Sequence, residues 1–260
     1  MRLPISCMEC FRVDGHPSDL AISVELRDDG LYTATCPRGH VTVTAIQEQK
    51  FEVLFDLGAM ALLDGYTREA VSSIAASLER FFEYYVLVVS LKHGIEYEQF
   101  RKAWDPISRL SERQLGAFLF LYLLENKKAL EPLILDAKPQ FDGRSRGDTP
   151  TWSAFRNDAI HKGYIPSALE VTEYGNLVYQ FIYRLIGELK ASAAEFIGKA
   201  TFHHVARGRG AADGQPVSTM SVPTLISLAR AQGPAPHLRD ALPGLEKYRR
   251  WLYARPQSNP

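Results

Sequence analysis

Three cysteines and one histidine constrain this chain more than any other feature. Cys7-Met8-Glu9-Cys10 precedes, and Cys36-Pro37-Arg38-Gly39-His40 ends, a stretch with strand-like alternation. Within that stretch Ile22-Ser23-Val24-Glu25-Leu26 and Leu31-Tyr32-Thr33-Ala34-Thr35 flank Asp28-Asp29-Gly30, which predicts a β-hairpin. Ligand pairs spaced by two or three residues let one turn supply two donors, and thiolate with imidazole suits tetrahedral zinc. Cys7, Cys10, Cys36 and His40 are therefore expected to hold Zn²⁺, with Gly39 relieving crowding where amides approach the sulfurs. His16 is the alternative fourth ligand, at a less suitable spacing. Four protein ligands leave no open position, so the zinc is expected to be structural and no catalytic metal is expected. A redox Cys-x-x-Cys would stand at a helix start beside a βαβ pattern, which is absent, and a disulfide suits a reducing compartment poorly. Without the metal so short a segment has little core of its own.

The knuckle Cys36-Pro37-Arg38-Gly39-His40 resembles the second knuckle of zinc ribbons. The expected organisation is a zinc ribbon over residues 1–44, a connecting segment over 45–65, a helical bundle over 66–200 and a basic extension over 201–260. The apolar run from Phe51 to Leu63 in the connector is expected to form a helix or to pack the ribbon against the bundle. The fold class is thus mainly α, a helical bundle behind a small zinc-binding β-ribbon.

Helical periodicity dominates the middle of the chain. Val71, Ile74, Leu78, Phe81, Phe82, Tyr85, Val88 and Val89 recur at helical spacing after a start near Thr67, and Gly94 closes that helix. Further helices are predicted over Tyr97–Trp104, stopping before Pro106, and from Ser111 through Leu124, the latter buried on more than one side. Pro132 to Pro150 is predicted to be a loop. A short helix is predicted from Thr151 to Lys162, ended by Gly163, and a long one from about Leu169 to Ile197. Beyond Thr201, glycines and prolines predict a linker before two weak helical patches, Val222 to Ala231 and Leu242 to Tyr253.

Net charge is zero, so no global field draws this chain to nucleic acid. The region from Thr201 on carries eight Lys/Arg against three acids, a surplus of five that suits either RNA contact or a plain solvated surface. The apolar stretches are too short or too charged to span a bilayer, and Met1-Arg2-Leu3-Pro4 opens no signal-peptide core. A cytoplasmic protein with no membrane contact is the expectation. A Gly-rich phosphate loop and a Gly-x-Ser-x-Gly elbow are both missing, so nucleotide-hydrolase and α/β-hydrolase readings have no support.

The segment Trp152-Ser153-Ala154-Phe155-Arg156-Asn157-Asp158-Ala159-Ile160-His161-Lys162-Gly163 is the most informative for function. Arg156 and His161 project about 140° apart on a regular helix, whereas Asn157 and His161 share a face. Side-chain reach or a second copy of the helix would have to bring Arg156 and His161 to one point. Taken alone, Arg156 and Asp158 also read as surface charges and His161 as a C-terminal cap. Glu79 and Glu83, four apart on the first long helix, read as an exposed helical face, with support of Arg156 from the site side as the alternative, and the adjacent His203 and His204 read as solvent-exposed polar residues.

Arg156, Asn157 and His161, placed on a short helix between an aromatic-rich long helix and a long final one, resemble the Arg–polar–x–His motif of HEPN ribonucleases. The resemblance covers about Tyr66 to Lys199. It implies metal-independent cleavage of RNA by a homodimer, with Arg156, His161 and Asn157 catalytic. Lys162, Arg144 and Arg146 are expected to contact the substrate. It further implies a toxin–antitoxin or phage-defence role, with a neutralising or sensing partner protein. Relatives of this fold also serve as non-catalytic dimerisation, nucleic-acid- or partner-binding modules, which is the competing expectation.

Overall fold

The computed structural model describes residues 2–16, 22–131, 136–137, 140–141, 144–145, 151–210, 216–231 and 233–254. The chain is mainly helical with a small β part, and it divides into two compact units. The first comprises Met1–Gln49, Thr201–Pro223 and Gly244–Pro260; the second comprises Lys50–Ala200 and Thr224–Pro243.

In the first unit β1 (Arg2–Ile5) pairs antiparallel with β2 (Ile22–Glu25), and the short helix α1 (Met8–Asp14) lies between them in sequence. A separate sheet has the order β3 (Leu31–Thr35), β4 (Val41–Ile46), β7 (Val217–Met220). The expected hairpin about Asp28-Asp29-Gly30 is thus corrected: Gly30 turns the chain at φ 66°, but its two arms join different sheets. Turn residues encode a reversal; which edge each arm pairs with depends on distant partners, here Arg2–Ile5 for β2. The hairpin that forms is β3–β4, with Cys36 to His40 as its turn. Another correction concerns the region after Thr201. Residues up to Gly210 continue a helix, and β7 then pairs in parallel with β4, Val43 opposite Val217. Thr44 and Ser218 exchange a hydroxyl hydrogen bond of 2.8 Å across that pair.

His204 also departs from expectation. It is partly buried, with Nε2 3.2 Å from the Ile46 carbonyl, and burial lowers its pKa below the usual histidine value. The unfolded chain therefore takes up the proton more readily than the folded one, so His204 lowers stability as pH falls below about 6.5. The expected result is a Tm that declines less steeply between neutral and mildly acid pH in His204→Gln than in the wild type, as read by differential scanning fluorimetry.

The second unit is built around α3 (Thr67–Lys92), against which α2 (Lys50–Leu63), α4 (Tyr97–Trp104), α5 (Ser111–Asn126) and α6 (Trp152–His161) pack. The eight periodic positions from Val71 to Val89 are all buried, and Gly94 takes the left-handed conformation that ends the helix. Aromatic rings fill the core, with Phe82 stacked on Phe118 at 4.6 Å and Tyr85 edge-on to it at 5.0 Å. The connector's apolar run is α2, a full core helix with Phe51 and Phe55 buried. Its Gly58 lies so close to α3 that a Cβ there would stand 2.7 Å from Ile74 Cγ1 and 3.1 Å from the Ala70 carbonyl. Gly58→Val is expected to lower stability by about 1–3 kcal/mol, measured by urea denaturation, because a backbone carbonyl cannot yield as a side chain can.

A long helix, α7 (Ala168–Gly210), kinks at Ala193 and supplies Tyr174, Val178, Ile182 and Leu185 to the core. Ser167 and Glu170 form a capping box at its start, the Ser167 amide donating to the carboxylate at 2.8 Å. Of the two weak helical patches, the second falls within α8 (Leu238–Ala254), whereas residues 222–231 are turns and irregular chain. Buried carboxylates on α2 account for that difference. Asp56 accepts from the Leu225 amide at 2.9 Å and Glu52 from the Leu228 amide at 2.8 Å, occupying donors that a helix would use internally. Helix α5 is buried on one side only: Phe120, Leu123 and Leu124 are exposed, against an expectation of burial on several faces. Gln140–Phe141 (β5) and Arg144–Ser145 (β6) form a two-residue antiparallel ladder; the rest of the predicted loop between Pro132 and Pro150 lies almost wholly outside the described residues. Among the described residues no helix is long and apolar enough to cross a membrane.

Candidate functional site

Among the described residues, chemistry-bearing side chains gather at a place in each unit. In the first, the ligand atoms of Cys7, Cys10, Cys36 and His40 all lie within 4.8 Å of one another. Cys7 caps the N-terminus of α1, its sulfur accepting from the Cys10 amide at 3.5 Å. Cys36 and His40 close the β3–β4 turn, where Gly39 adopts φ 82° and its amide bonds the Cys36 carbonyl at 2.8 Å. A tetrahedral ion with metal–sulfur bonds of about 2.3 Å needs sulfurs roughly 3.8 Å apart, with sulfur–nitrogen edges somewhat shorter. Cys10 Sγ and Cys36 Sγ are 3.8 Å apart, and His40 Nδ1 lies 3.3 Å from Cys10 Sγ and 3.9 Å from Cys7 Sγ. The cluster can therefore hold a metal ion such as zinc. His40 completes the cluster rather than His16.

The protonation chemistry fits a cation. Burial and the neighbouring Cys7 and Cys36 sulfurs push the Cys10 thiol up to about 11. For Cys36, desolvation is outweighed by backbone hydrogen bonds from Arg38 and His40, and its pKa is lowered. A divalent ion lets such crowded sulfurs ionise together. Cys7-x-x-Cys10 does stand at a helix start, but β1 and β2 around it are antiparallel, so no parallel βαβ unit exists there. The three cysteines are free.

In the second unit Arg156, Asn157, His161 and Lys162 line one open cleft of about 550 Å³, together with Glu79, Arg109 and Glu112. Helix α6 starts because Thr151 Oγ1 accepts from the Ala154 amide at 3.1 Å, and it ends before Gly163 at φ 72°. Arg68 on α3 donates to the last carbonyls of α6, those of Ala159 (2.9 Å) and Ile160 (3.1 Å), which fixes the turn carrying His161. The Arg156 guanidinium is held by Glu79 Oε1 at 2.5 Å and Asn157 Oδ1 at 2.8 Å, and its side chain is 19 % exposed. Asn157 and His161 are exposed. Lys162 pairs with Asp158 at 2.9 Å on the surface.

No family model, curated protein or solved structure matches this chain. Its own geometry is what bears on function.

Of the residues expected to touch substrate, Arg144 lies in β6 with its side chain outside the described atoms, and Arg146 lies outside the described residues. Of the two readings of Glu79, support of Arg156 is the one seen, not an exposed face; Glu83 turns elsewhere and bridges Arg80 and Arg101 at 2.6 Å each. Sequence reasoning missed Arg68, Arg109, Glu112 and Tyr174. Glu112 comes directly after Ser111 at the start of α5. Hydrogen bonds from its own amide and from Ser111 hold its carboxyl below the usual range, and the charges of Arg156 and His161 add to this. Arg156 also opposes the effect of burial on Tyr174, whose hydroxyl nevertheless has a raised pKa.

Proposed function

We propose that this chain is a metal-independent endoribonuclease of the HEPN type, and that its Cys₃His cluster holds a structural zinc. The single observation that carries the reading is the cleft shared by Arg156, Asn157, His161 and Lys162, with the guanidinium anchored on two sides. RNA brings its own nucleophile, the 2′-OH. His161 takes a proton from that hydroxyl or delivers one to the leaving 5′-oxygen. Arg156 uses donors on Glu79 and Asn157 and keeps others of its five for the phosphate, where charge grows on the non-bridging oxygens. The products are a 2′,3′-cyclic phosphate and a 5′-OH.

A homodimer completes the proposal. Two copies of α6 supply two histidines, which divide the acid and base duties. The exposed stripe on α5 (Phe120 at 71 %, Leu124 at 62 %) suits contact with another chain, and α5 begins at Ser111 and Glu112 in the cleft. A role in toxin–antitoxin or phage defence, with a neutralising or sensing protein, comes from the family resemblance. The test is incubation of labelled RNA with metal-loaded protein in buffer freed of other divalent ions, with product ends identified by mass spectrometry and the dimer by sedimentation.

The same stripe favours a second reading, a non-catalytic module that binds nucleic acid or a protein partner through α5. Arg156 then serves only as the Glu79 ion pair that fastens α6 to α3. RNA bound but left intact by the protein would select this reading.

A further inference from the structure

Beside the open cleft lies a more enclosed cavity of about 220 Å³ that shares several of its lining side chains. Glu79, Glu112, Arg156 and Asn157 belong to both, whereas Leu78, Phe82, Leu115 and Tyr174 line the cavity alone. A water occupies roughly 30 Å³, so the cavity has room for a flat ring system. Its deeper lining is apolar and aromatic, the kind of surface that takes a planar ligand with few polar anchors. One such anchor is present. Tyr174 is only 1 % exposed, it lines the cavity, and its hydroxyl has no hydrogen-bond partner among the described residues. A phenol that buried ordinarily finds a partner.

We propose that this cavity is a nucleobase subsite, which accepts one unpaired base of an RNA strand whose phosphate lies at Arg156 and His161. The inference rests on reading the cleft as an RNA site and adds that the substrate must offer a base turned out of its stack. Charge decides between the classes of occupant. Arg109 and Lys162 line the open cleft and not the cavity, beside the Arg156 that both share, so a phosphate belongs in the cleft. Glu79 and Glu112 line both spaces, but in the cavity they face Arg156 alone among its lining cations and so disfavour a second anion there. What passes between them is neutral, flat and able to hydrogen-bond with a phenol, which describes a base and not a further phosphate. Unpaired bases held against aromatic and apolar side chains are the usual means of recognising single-stranded RNA. Tyr174 thus acts as a specificity residue that touches the base and takes no part in proton transfer.

The experiment compares ligands that differ only in the base. Full-length, metal-loaded protein is titrated with the four nucleoside 5′-monophosphates and with ribose 5-phosphate, and dissociation constants are read by NMR. At least one nucleotide should bind about tenfold or more tightly than ribose 5-phosphate, the size expected for stacking one base. Tyr174→Phe, which keeps the ring and its packing, should weaken that nucleotide severalfold and leave ribose 5-phosphate unchanged. Leu115→Trp, which fills the cavity, should abolish the advantage, while Arg156→Ala should weaken both ligands alike. Equal binding of nucleotides and ribose 5-phosphate, or no binding of either at millimolar concentration, overturns the proposal even if RNA is cleaved. A base advantage in a protein that cleaves no RNA supports the subsite and refutes the ribonuclease reading, so the two fail separately. A Tyr174→Phe protein as tight as wild type for every nucleotide overturns the role given to the phenol.

Discussion

Removing the metal from the full chain is expected to unfold its first unit while the helices around α3 stay folded. Cys7 and Cys10 come from the start of α1, Cys36 and His40 from the β3–β4 turn, so an ion held by all four would join two elements next to different sheets. What surrounds it is small: Ile22, Ala34 and Val24 are the apolar residues packed with the three sulfurs. The exposed Arg38–Asp14 ion pair at 2.8 Å spans the same junction, but solvent screens it and it adds little. A structural zinc in a small module is worth on the order of 10 kcal/mol or more, comparable with the whole stability of an ordinary domain. Cys10→Ser or exhaustive chelation should therefore remove hydrogen-exchange protection from amides of β1 to β4, with α3 and α5 retaining theirs. Protection unchanged in protein shown by elemental analysis to contain no metal would mean that the four side chains cluster without holding the fold.

Local signals carried far in this sequence, and non-local ones left little trace. Helix α4 spans Tyr97–Trp104 as predicted, and α6 differs by one residue at each end, because capping residues, apolar period and the glycine after α6 all sit within one short window. The metal cluster was legible for a similar reason: each ligand pair is local, and the chemistry of thiolate and imidazole restricts what two such pairs do together. Strand partners were not. Asp28-Asp29-Gly30 marks a turn whether or not its arms pair, and Val217–Met220 carries nothing that names β4 as its neighbour. The same holds for the cleft. Arg156 and Asn157 are adjacent and were found by pattern, but Glu79 is seventy-seven positions from Arg156; its place on the first long helix raised it as a support for Arg156 without setting it apart from Glu83 or from any solvated acid. Tyr174 was hidden differently, as one of several aromatic residues at core spacing, since only the cavity separates it from the rest. The irregular chain at 222–231 shows tertiary context overriding a helical pattern through two carboxylates on α2.

Replacing either member of the Arg–His pair is expected to reduce RNA cleavage by two orders of magnitude or more, without loss of fold. His161 is exposed at the end of α6, so on the proposed mechanism His161→Ala removes proton transfer and little else. General acid–base catalysis of that kind contributes about 10²–10⁴-fold. Arg156→Ala removes the group that stabilises charge on the phosphate, a loss of about 10²–10³-fold where one such donor has been deleted elsewhere. Arg156→Lys should restore little, because an ammonium cannot hold Glu79, Asn157 and a phosphate at once with the geometry of a planar guanidinium. Glu79→Gln keeps the shape and loses the charge, so it should cost less than Arg156→Ala and act on kcat more than on KM, since its main contact is the guanidinium that it orients. A single 2′-deoxy substitution at the cleaved position should block the reaction, and its failure to do so would exclude the 2′-OH as nucleophile. Mixed dimers of Arg156→Ala and His161→Ala chains carry the last discrimination. If each site draws on both protomers, mixing two inactive variants restores part of the activity; if one chain suffices for each site, mixing restores none. Wild-type rates in both single variants would end the assignment of catalysis to α6 altogether, because no other described residue of this cleft then offers an imidazole beside an anchored guanidinium.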